Sequence, residues 1–191
     1  ILNFKKNNKF DPMTLNILVL GGSQAAKSFG ELLPEIFKKC KKENINIKIF
    51  QQCIPTQEDK LNEIYKNLNF DFELFNFTNN IGEYFLKTEL AITRSGSSVT
   101  AELINCNIPF ISIPYPYAAD SHQNKNATYF EKKGYSLLVE ETEVNKKLFP
   151  LIKSFYKNKD LLNEMIEKQK NHSDKKAFFK INKVVENLIN E

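Results

Sequence analysis

Between residues 16 and 139 the chain alternates short apolar runs with longer stretches whose apolar residues recur at helical spacing. The apolar runs contain few polar residues, which is typical of strands buried on both faces of a parallel sheet. They predict strands at residues 16–20, 45–51, 72–77, 90–93, 109–113 and 135–139. Strands that alternate with helices over short connections indicate consecutive strand–helix–strand units.

Helices are predicted between these strands and after the last one. They cover residues 27–41, 57–68, 81–87, 99–105 and 121–133, followed by 144–157, 160–170 and 174–190. Pro34 falls inside the first helix, which predicts either a kink or two separate helices there. Together these elements predict an α/β fold, a Rossmann-like doubly wound parallel sheet with right-handed crossovers and a helical C-terminal tail. Ligands of such a fold lie off the carboxyl ends of the strands, at the switch in strand order.

The organisation of the chain follows from its length and from its opening segment. A length of 191 residues fits one domain with a sizeable core. Residues 1–15 are polar and rich in Asn and Lys, so we expect a linker or the end of a missing N-terminal domain. Residues 16–191 form the predicted domain, with its helical tail from about residue 144. Because the chain begins with Ile1 rather than methionine, we expect it to be part of a longer protein.

Composition argues against several classes of protein. A hydrophobic content of 41% and a charged content of 26% predict a soluble globular chain, without a membrane-spanning run or a signal peptide. The net charge of +4 is carried by dispersed lysines without interleaved aromatic residues, which argues against nucleic acid and indicates a mild preference for an anionic membrane surface. Cys40, Cys53 and Cys106 are odd in number and lack CxxC spacing, so we predict reduced, mostly buried thiols and no metal site.

A small polar turn follows the fourth predicted strand. Its sequence, Arg94-Ser95-Gly96-Ser97-Ser98, lets backbone N–H groups converge on an anion at the next helix N-terminus, and phosphate is the expected occupant. Arg94 is the sole arginine among 27 basic residues, which indicates a need for its planar fork of donors. The alternative is a structural pair between Arg94 and a carboxylate.

Glu102 lies one turn into the helix that follows. If Ser98 is the N-cap, Glu102 occupies position N4, one place too late for a capping box, and its carboxylate is available to a ligand. Acceptance of hydrogen bonds from both hydroxyls of a ribose is the expected use. The alternative is a first-turn acid that interacts favourably with the helix dipole.

A second small turn, Gly21-Gly22-Ser23-Gln24, follows the first predicted strand. It is not a Walker A loop, because no Gly-Lys-Ser/Thr follows, and it is not a dinucleotide fingerprint, because GxGxxG is absent. Ser23 offers a hydroxyl to a phosphate. The alternative is a tight strand-to-helix turn with no ligand.

The loop at residues 114–126 is too long and too polar to be only a connection. Asp120, His122, Gln123 and Asn126 carry donors and acceptors of the kind that bind sugar hydroxyls. Gln123 is favoured for a sugar contact, because its amide can both donate and accept. A lone histidine that opens a helix is more often structural than catalytic.

Three ordered motifs carry a resemblance to a known family. They are GGSQ at 21–24, TRSGSSVTAEL at 93–103 and PFISIPYPYAADSHQNKNA at 109–127. They resemble the carboxyl-terminal domain of the MurG family, the UDP-N-acetylglucosamine (UDP-GlcNAc) transferases that make lipid II from lipid I in peptidoglycan synthesis. The resemblance runs from about residue 16 to residue 139, is expected to continue to the end of the chain, and implies the donor-binding half of a two-domain GT-B glycosyltransferase.

The resemblance implies a role for each motif. Ser23 and the Ser97–Ser98 turn would hold the diphosphate, and the segment around Phe77 and Thr78 would hold the uracil, with Thr78 acting through its backbone. The expected donor-binding set is Ser23, Gln24, Thr78, Arg94, Gly96, Ser97, Ser98, Glu102, His122 and Gln123, with Glu102 on the ribose and His122 and Gln123 on the sugar. Ala25 departs from the family, which has glycine there, and would cost about 1 kcal/mol if its φ is positive.

The resemblance also implies a function for the whole protein. An inverting transferase would act at the cytoplasmic face of the inner membrane, as a peripheral protein, in cell-wall synthesis and hence in cell shape and division. Catalytic and lipid I-binding residues are expected in the missing N-terminal domain, and neither a metal nor another cofactor is expected. Two alternatives stay open: a related UDP-sugar glycolipid transferase, and a non-catalytic UDP-sugar-binding subunit that needs a partner chain.

Overall fold

The computed structural model describes residues 10–172, apart from the side chains of residues 22–26 and 119. Its strands are β1 (Leu15–Leu20), β2 (Ile47–Gln52), β3 (Asp71–Phe75), β4 (Leu90–Thr93), β5 (Phe110–Ser112) and β6 (Ser136–Leu138). They form one parallel sheet in the order β3-β2-β1-β4-β5-β6. The predicted doubly wound α/β fold is therefore confirmed.

Helices fill the connections where the pattern predicted them. They are α1 (Gly22–Lys42), α2 (Pro55–Asn67), α3 (Ile81–Lys87), α4 (Ser97–Asn105), α5 (His122–Lys132), α6 (Val144–Lys157) and α7 (Asp160–Lys170). Short 3₁₀ turns at Ala119–Ser121 and Glu141–Glu143 precede α5 and α6. The predicted helix at 174–190 and most of the predicted linker at 1–15 lie outside the described residues.

The first helix differs most from its prediction. It begins at Gly22 rather than near residue 27, so Ser23 and Gln24 belong to its first turn and not to a preceding loop. Ala25 is then inside a helix, where φ is negative and alanine is the most favourable residue, and the cost expected for a positive φ does not arise. Pro34 does not divide the helix, because the buried face made by Phe29, Leu33 and their neighbours continues across it.

Four of the described helices end in the same way, at a residue with left-handed backbone. These residues are Asn44, Asn69, Asn107 and Gly134, with φ of 55°, 51°, 54° and 71°. At the end of α4, for example, the Asn107 N–H donates to Ile104 O at 3.0 Å and the Ile108 N–H to Leu103 O at 2.9 Å, which is a Schellman motif. Asparagine and glycine tolerate this conformation best, so each helix stops abruptly and turns directly into the next strand.

The core lies on both faces of the sheet. Ile17 and Val19 of β1 pack with α1, α2 and α6, whereas Leu18 and Leu20 face the opposite way, toward α3 and α4. Successive side chains of a strand point to opposite faces, so a continuous apolar run is what a strand covered on both sides requires. Cys40 and Cys53 are buried, none of the three cysteines forms a disulfide, and burial raises the pKa of Cys40 to about 12.

Glu89 joins the helical tail to the amino ends of the central strands. Its side chain is 9% exposed and accepts hydrogen bonds from the Asn16 N–H at 3.0 Å and from Lys159 Nζ at 2.7 Å. Lys159, between α6 and α7, also donates to Thr14 O at 2.8 Å. The carboxylate therefore binds a strand and a helix connection that are far apart in sequence.

We expect Glu89→Gln to lower the free energy of unfolding by roughly 1.5–3 kcal/mol, because it removes charge-assisted hydrogen bonds from a buried site. Glu35→Gln is the matched control, since Glu35 is 67% exposed and only pairs with Lys38 at 3.5 Å on the surface of α1. Its effect should stay within about 0.5 kcal/mol. Urea denaturation measures both changes, and equal small losses would show that the Glu89 contacts contribute nothing to stability.

Candidate functional site

A crevice opens at the carboxyl ends of β1 and β4. These strands are neighbours in the sheet, with Leu20 beside Thr93, but the helices that follow them, α1 and α4, cover opposite faces. This is the switch in strand order, where open α/β sheets bind ligands. The crevice has a volume of about 400 Å³ and is lined by Leu20, Gly21, Gln52, Phe75, Phe77, Thr78, Ile81, Thr93, Arg94, Gly96, Val99, Glu102 and Gln123.

The floor of the crevice is closed by polar contacts between the two strand ends. The Thr93 hydroxyl is buried and donates to Leu20 O at 3.0 Å. The Arg94 N–H approaches the same carbonyl at 3.4 Å. The turns after β1 and β4 therefore start from one fixed point.

Two helix N-termini face this point. Gly21 is the N-cap of α1 and Gly96 the N-cap of α4, and neither helix has a side-chain cap or an acidic residue in its first turn. The first N–H groups of a helix have no partner within the helix, and they carry the positive end of its dipole. The arrangement suits an anion bound between both helices.

Gly96, and not Ser98 as considered from the sequence, is the N-cap of α4. Ser97 and Ser98 are consequently the first two helical residues, and both are exposed beside Gly96, outside the described lining of the crevice. The backbone of Gly96 is ordinary, with φ −67° and ψ 141°, so its φ does not require glycine. What glycine provides is space, because a Cβ there would add bulk to the lining of the crevice.

Glu102 lies in the second turn of α4, exposed, with its side chain in the lining of the crevice. Counted from Ser97, it is the sixth helical residue, so the first-turn dipole alternative is wrong. No described residue hydrogen-bonds or pairs with its carboxylate. The group is therefore available to accept hydrogen bonds from a ligand.

The segment between β3 and α3 forms a second wall. β3 ends at Phe75, two residues earlier than predicted, which leaves Phe77 and Thr78 in a loop. Phe77 is 80% exposed, and the Thr78 hydroxyl accepts from the Asn80 N–H at 3.0 Å. Contact between the Thr78 backbone and a ligand, which the resemblance implies, stays a prediction.

Gln52 supports this loop and was missed from the sequence. Its Nε2 donates to Asn76 O at 3.1 Å, and Asn76 Nδ2 donates to a carboxylate oxygen of Glu58 at 3.1 Å. Behind the loop, Phe75 stacks on Tyr84 with ring centroids 4.2 Å apart. Burial, followed by the hydrogen bond to Glu73, raises the pKa of Tyr84 to about 12, so this wall carries a neutral phenol. A polar residue at the last position of a buried strand was the available signal for Gln52.

The third wall comes from the loop after β5 and the start of α5. Gln123 Oε1 accepts from the Tyr115 N–H at 2.9 Å, so the amide NH₂ of this lining residue is the group available to a ligand. Asp120 and Ser121 have left-handed backbone, with φ of 49° and 53°, and both are exposed. His122 is exposed at the first position of α5 and is not part of the described lining.

Arg94 lies beneath the crevice and is only 4% exposed. Its guanidinium donates to Ile113 O at 3.1 Å and to Pro114 O at 3.2 Å, and it pairs with Glu141. The structural alternative considered for Arg94, a pair with a carboxylate, is therefore present. Contact between Arg94 and a bound phosphate stays a prediction.

The structure brings five of the predicted residues into one lining: Thr78, Arg94, Gly96, Glu102 and Gln123. Asn126 serves the neighbouring turn instead, since its Nδ2 donates to Ser95 O at 3.1 Å. The side chains of Ser23 and Gln24 lie outside the described residues. Among the residues that are described, no three His, Cys, Asp or Glu side chains lie close enough to bind a metal ion together, and no helix is both long and apolar enough to span a bilayer.

Two curated relatives from different bacteria share one enzyme name. The chain is 35% identical over 182 residues to the UDP-N-acetylglucosamine--N-acetylmuramyl-(pentapeptide) pyrophosphoryl-undecaprenol N-acetylglucosamine transferase of Pelagibacter ubique (strain HTCC1062), which aligns 93% of this chain and 50% of the relative. It is 37% identical over 155 residues to the enzyme of the same name from Rickettsia bellii (strain RML369-C), aligning 78% of this chain and 43% of that one. The chain thus spans about half the length of the curated relatives it matches.

The comparisons of fold and domain agree with these matches. The crystal structure of Acinetobacter baumannii MurG superimposes with a TM-score of 0.81 at 24% identity, covering 94% of this chain and 54% of that one. That likeness establishes a GT-B type of Rossmann-like fold. The family model described as the glycosyltransferase family 28 C-terminal domain matches residues 16–181. The resemblance inferred from the three motifs is confirmed, and the chain belongs to glycosyltransferase family 28 as a C-terminal domain of that family.

Proposed function

We propose that this chain is the donor-binding half of an inverting transferase that moves N-acetylglucosamine from UDP-GlcNAc to lipid I, forming lipid II. One observation carries the proposal: two uncapped helix N-termini and an unpaired carboxylate, Glu102, face the same crevice at the switch in strand order. A nucleoside diphosphate sugar has the complementary chemistry, with an anionic centre next to a ribose diol. The names of the relatives support the identity of donor and acceptor.

The diphosphate binds between the first turns of α1 and α4. There the free N–H groups donate to phosphate oxygens, and the hydroxyls of Ser97 and Ser98 are within the same exposed turn. In that position the diphosphate sits at the positive ends of two helix dipoles. Ser23 is proposed for the same role in α1.

The remaining parts of the donor follow from this placement. Glu102 accepts from the ribose hydroxyls, since it lies one turn farther along α4 than the phosphate site. The backbone of the loop around Thr78 binds the uracil edge, against the wall made by Phe75 and Ile81. The free NH₂ of Gln123 donates to a hydroxyl of the sugar, on the opposite side of the phosphate site, and His122, beside it, is proposed to assist.

In the reaction, the acceptor hydroxyl attacks the anomeric carbon directly while UDP leaves. Negative charge grows on the departing diphosphate, so the two helix N-termini stabilise the transition state more than the ground state. The acceptor site and the catalytic base are proposed to lie on an N-terminal domain, which residues 1–15 would join to this one. The protein is proposed to act in the cytoplasm at the inner membrane, where dispersed lysines favour an anionic surface.

Glu102→Ala should weaken UDP and UDP-GlcNAc by the same factor, because the proposed ribose contact is common to both. Loss of a charge-assisted hydrogen bond at an exposed carboxylate costs roughly 1.5 kcal/mol, or about tenfold in Kd. Calorimetric titration measures both affinities. Glu164→Ala, which changes an exposed carboxylate on α7, should leave both Kd values unaltered. Unchanged affinities for the Glu102 variant, with the fold intact, would remove Glu102 from the site.

Gln123→Ala should weaken UDP-GlcNAc by about tenfold and leave UDP nearly unaffected, because its NH₂ is proposed to contact only the sugar. The same calorimetric experiment provides the comparison, with UDP as the internal control. An equal loss for both ligands would place Gln123 on the nucleotide rather than on the sugar.

The 191-residue chain should bind UDP-GlcNAc and transfer no sugar to lipid I by itself. Binding the donor does not lower the barrier unless an acceptor hydroxyl and its base are positioned as well. Addition of the amino-terminal half of a family member, fused or in trans, should restore turnover. The assay is transfer of radiolabelled sugar to lipid I, and turnover by the chain alone at the rate of a two-domain enzyme would contradict the proposal.

A further inference from the structure

Both terminal nitrogens of the Arg94 guanidinium lie against protein acceptors, whereas its Nε is buried without a hydrogen-bond partner among the described residues. Nη1 donates to two successive carbonyls, Ile113 O and Pro114 O, at the end of β5. Nη2 pairs with Glu141, in the short 3₁₀ turn after β6. Lysine has a single charged nitrogen and could not reach three acceptors on two different segments at once. The use of arginine at this one position therefore has a reason that involves no ligand.

The charge and the position of this guanidinium are fixed from several sides. Glu141 neutralises it and also accepts from the Ser28 hydroxyl of α1 at 3.2 Å. The guanidinium carbon lies 4.6 Å from the ring centre of Phe29 and 5.4 Å from that of Tyr115. Aromatic rings at such distances attract a cation and exclude water from it. Arg94 is thus held between α1, the end of β5 and the turn after β6.

A short chain of contacts leads from Arg94 to Gln123. Pro114, whose carbonyl accepts from Arg94, is followed by Tyr115, whose N–H donates to Gln123 Oε1 at 2.9 Å. That bond fixes which end of the Gln123 amide faces the crevice. Asn126, one turn farther along α5, returns to the Arg94 turn by donating to Ser95 O at 3.1 Å. The start of α5 is therefore attached by Gln123 to the segment that the guanidinium holds, and by Asn126 to the backbone next to Arg94.

We propose that Arg94 is a positioning residue: through Pro114 and Tyr115 it orients the Gln123 amide toward the sugar of the donor, and it does not itself bind the diphosphate. The inference rests on the proposed function, because it takes Gln123 as the sugar contact. Loss of Arg94 then removes the part of the affinity that the sugar contributes. Loss of a direct phosphate contact would instead weaken every nucleotide diphosphate equally.

The decisive quantity is the ratio of the Kd for UDP to the Kd for UDP-GlcNAc, measured by calorimetry on the 191-residue chain. Arg94→Met keeps an unbranched side chain but removes the hydrogen-bond donors. It should lower this ratio by about tenfold, because UDP-GlcNAc then loses the hydrogen bond between its sugar and Gln123. Glu141→Gln should lower the ratio in the same direction, since it releases the guanidinium from its carboxylate. Lys147→Gln, which breaks the exposed Glu143–Lys147 pair next to Glu141, is the matched control and should leave the ratio unchanged.

A double-mutant cycle separates positioning from an independent effect. If Arg94 acts through Gln123, Arg94→Met should change the ratio little once Gln123→Ala is present, so the two effects are not additive. Additive effects would overturn the proposal. So would an equal loss of UDP and UDP-GlcNAc in Arg94→Met, which is the result that direct phosphate binding gives.

A measurement without ligand covers the case in which Arg94→Met binds poorly because it is unfolded. Hydrogen exchange of the Tyr115 amide should be faster in Glu141→Gln than in the unaltered chain, and unchanged in Lys147→Gln. Protection of Tyr115 that is the same in all three chains would overturn the proposal. If the unaltered chain binds neither UDP nor UDP-GlcNAc, the proposed function is wrong, and the role of Arg94 falls with it. If the variants bind UDP normally and the ratio of the two Kd values is unchanged, only the role proposed for Arg94 is contradicted.

Discussion

Parallel pairing between β1 and β4 is the constraint from which the site follows. The two strands share hydrogen bonds from Ile17 to Leu20, yet the chain leaves β1 toward one face of the sheet and β4 toward the other. Neither α1 nor α4 can then cover the strand ends between them, and a crevice is left open. Since both helices begin at this crevice, the fold itself directs their N–H groups at a common point.

The walls of the crevice are loops, and each is held by a different kind of contact. The Thr78 loop is fixed by a hydrogen bond from Gln52 and by the stacking of Phe75 on Tyr84. The loop before α5 is fixed by the buried guanidinium of Arg94 and by the amide of Gln123. Loops that are anchored in this way lose less entropy when a ligand binds, so more of the contact energy appears as affinity. Buried polar groups at the bottom of the site thus serve its geometry.

Much of the fold could be predicted from sequence because a parallel sheet covered on both faces leaves a strong pattern. Short apolar runs such as residues 16–20 rarely form anything other than a buried strand, and the polar turns after them mark the strand ends. The start of α1 could not be predicted in the same way. Gly21-Gly22-Ser23 is typical of a turn, whereas the helix extends back to Gly22. The N-cap of α4 was misplaced for a similar reason, since Gly96 and Ser98 are both acceptable caps.

The candidate site could be predicted as a set of residues more readily than as a set of contacts. Glu102 and Gln123 carry the chemistry of a sugar nucleotide site in their own side chains. Arg94 was identified by its rarity, but its partner Glu141 lies in another part of the chain, and no local spacing connects them. The sequence therefore left its two roles equally open. Gln52 acts through the backbone of Asn76, and a contact of that kind has no sequence signature.

We propose that the N-termini of α1 and α4 together bind a nucleoside diphosphate. NMR titration of UDP into the ¹⁵N-labelled chain reports on both helix ends at once. We expect the largest amide shifts in the first turns of both helices, at residues 21–24 and 96–99, with smaller shifts near Thr78 and none along α7. Shifts confined to one of the two helices, or centred away from the switch between β1 and β4, would contradict it.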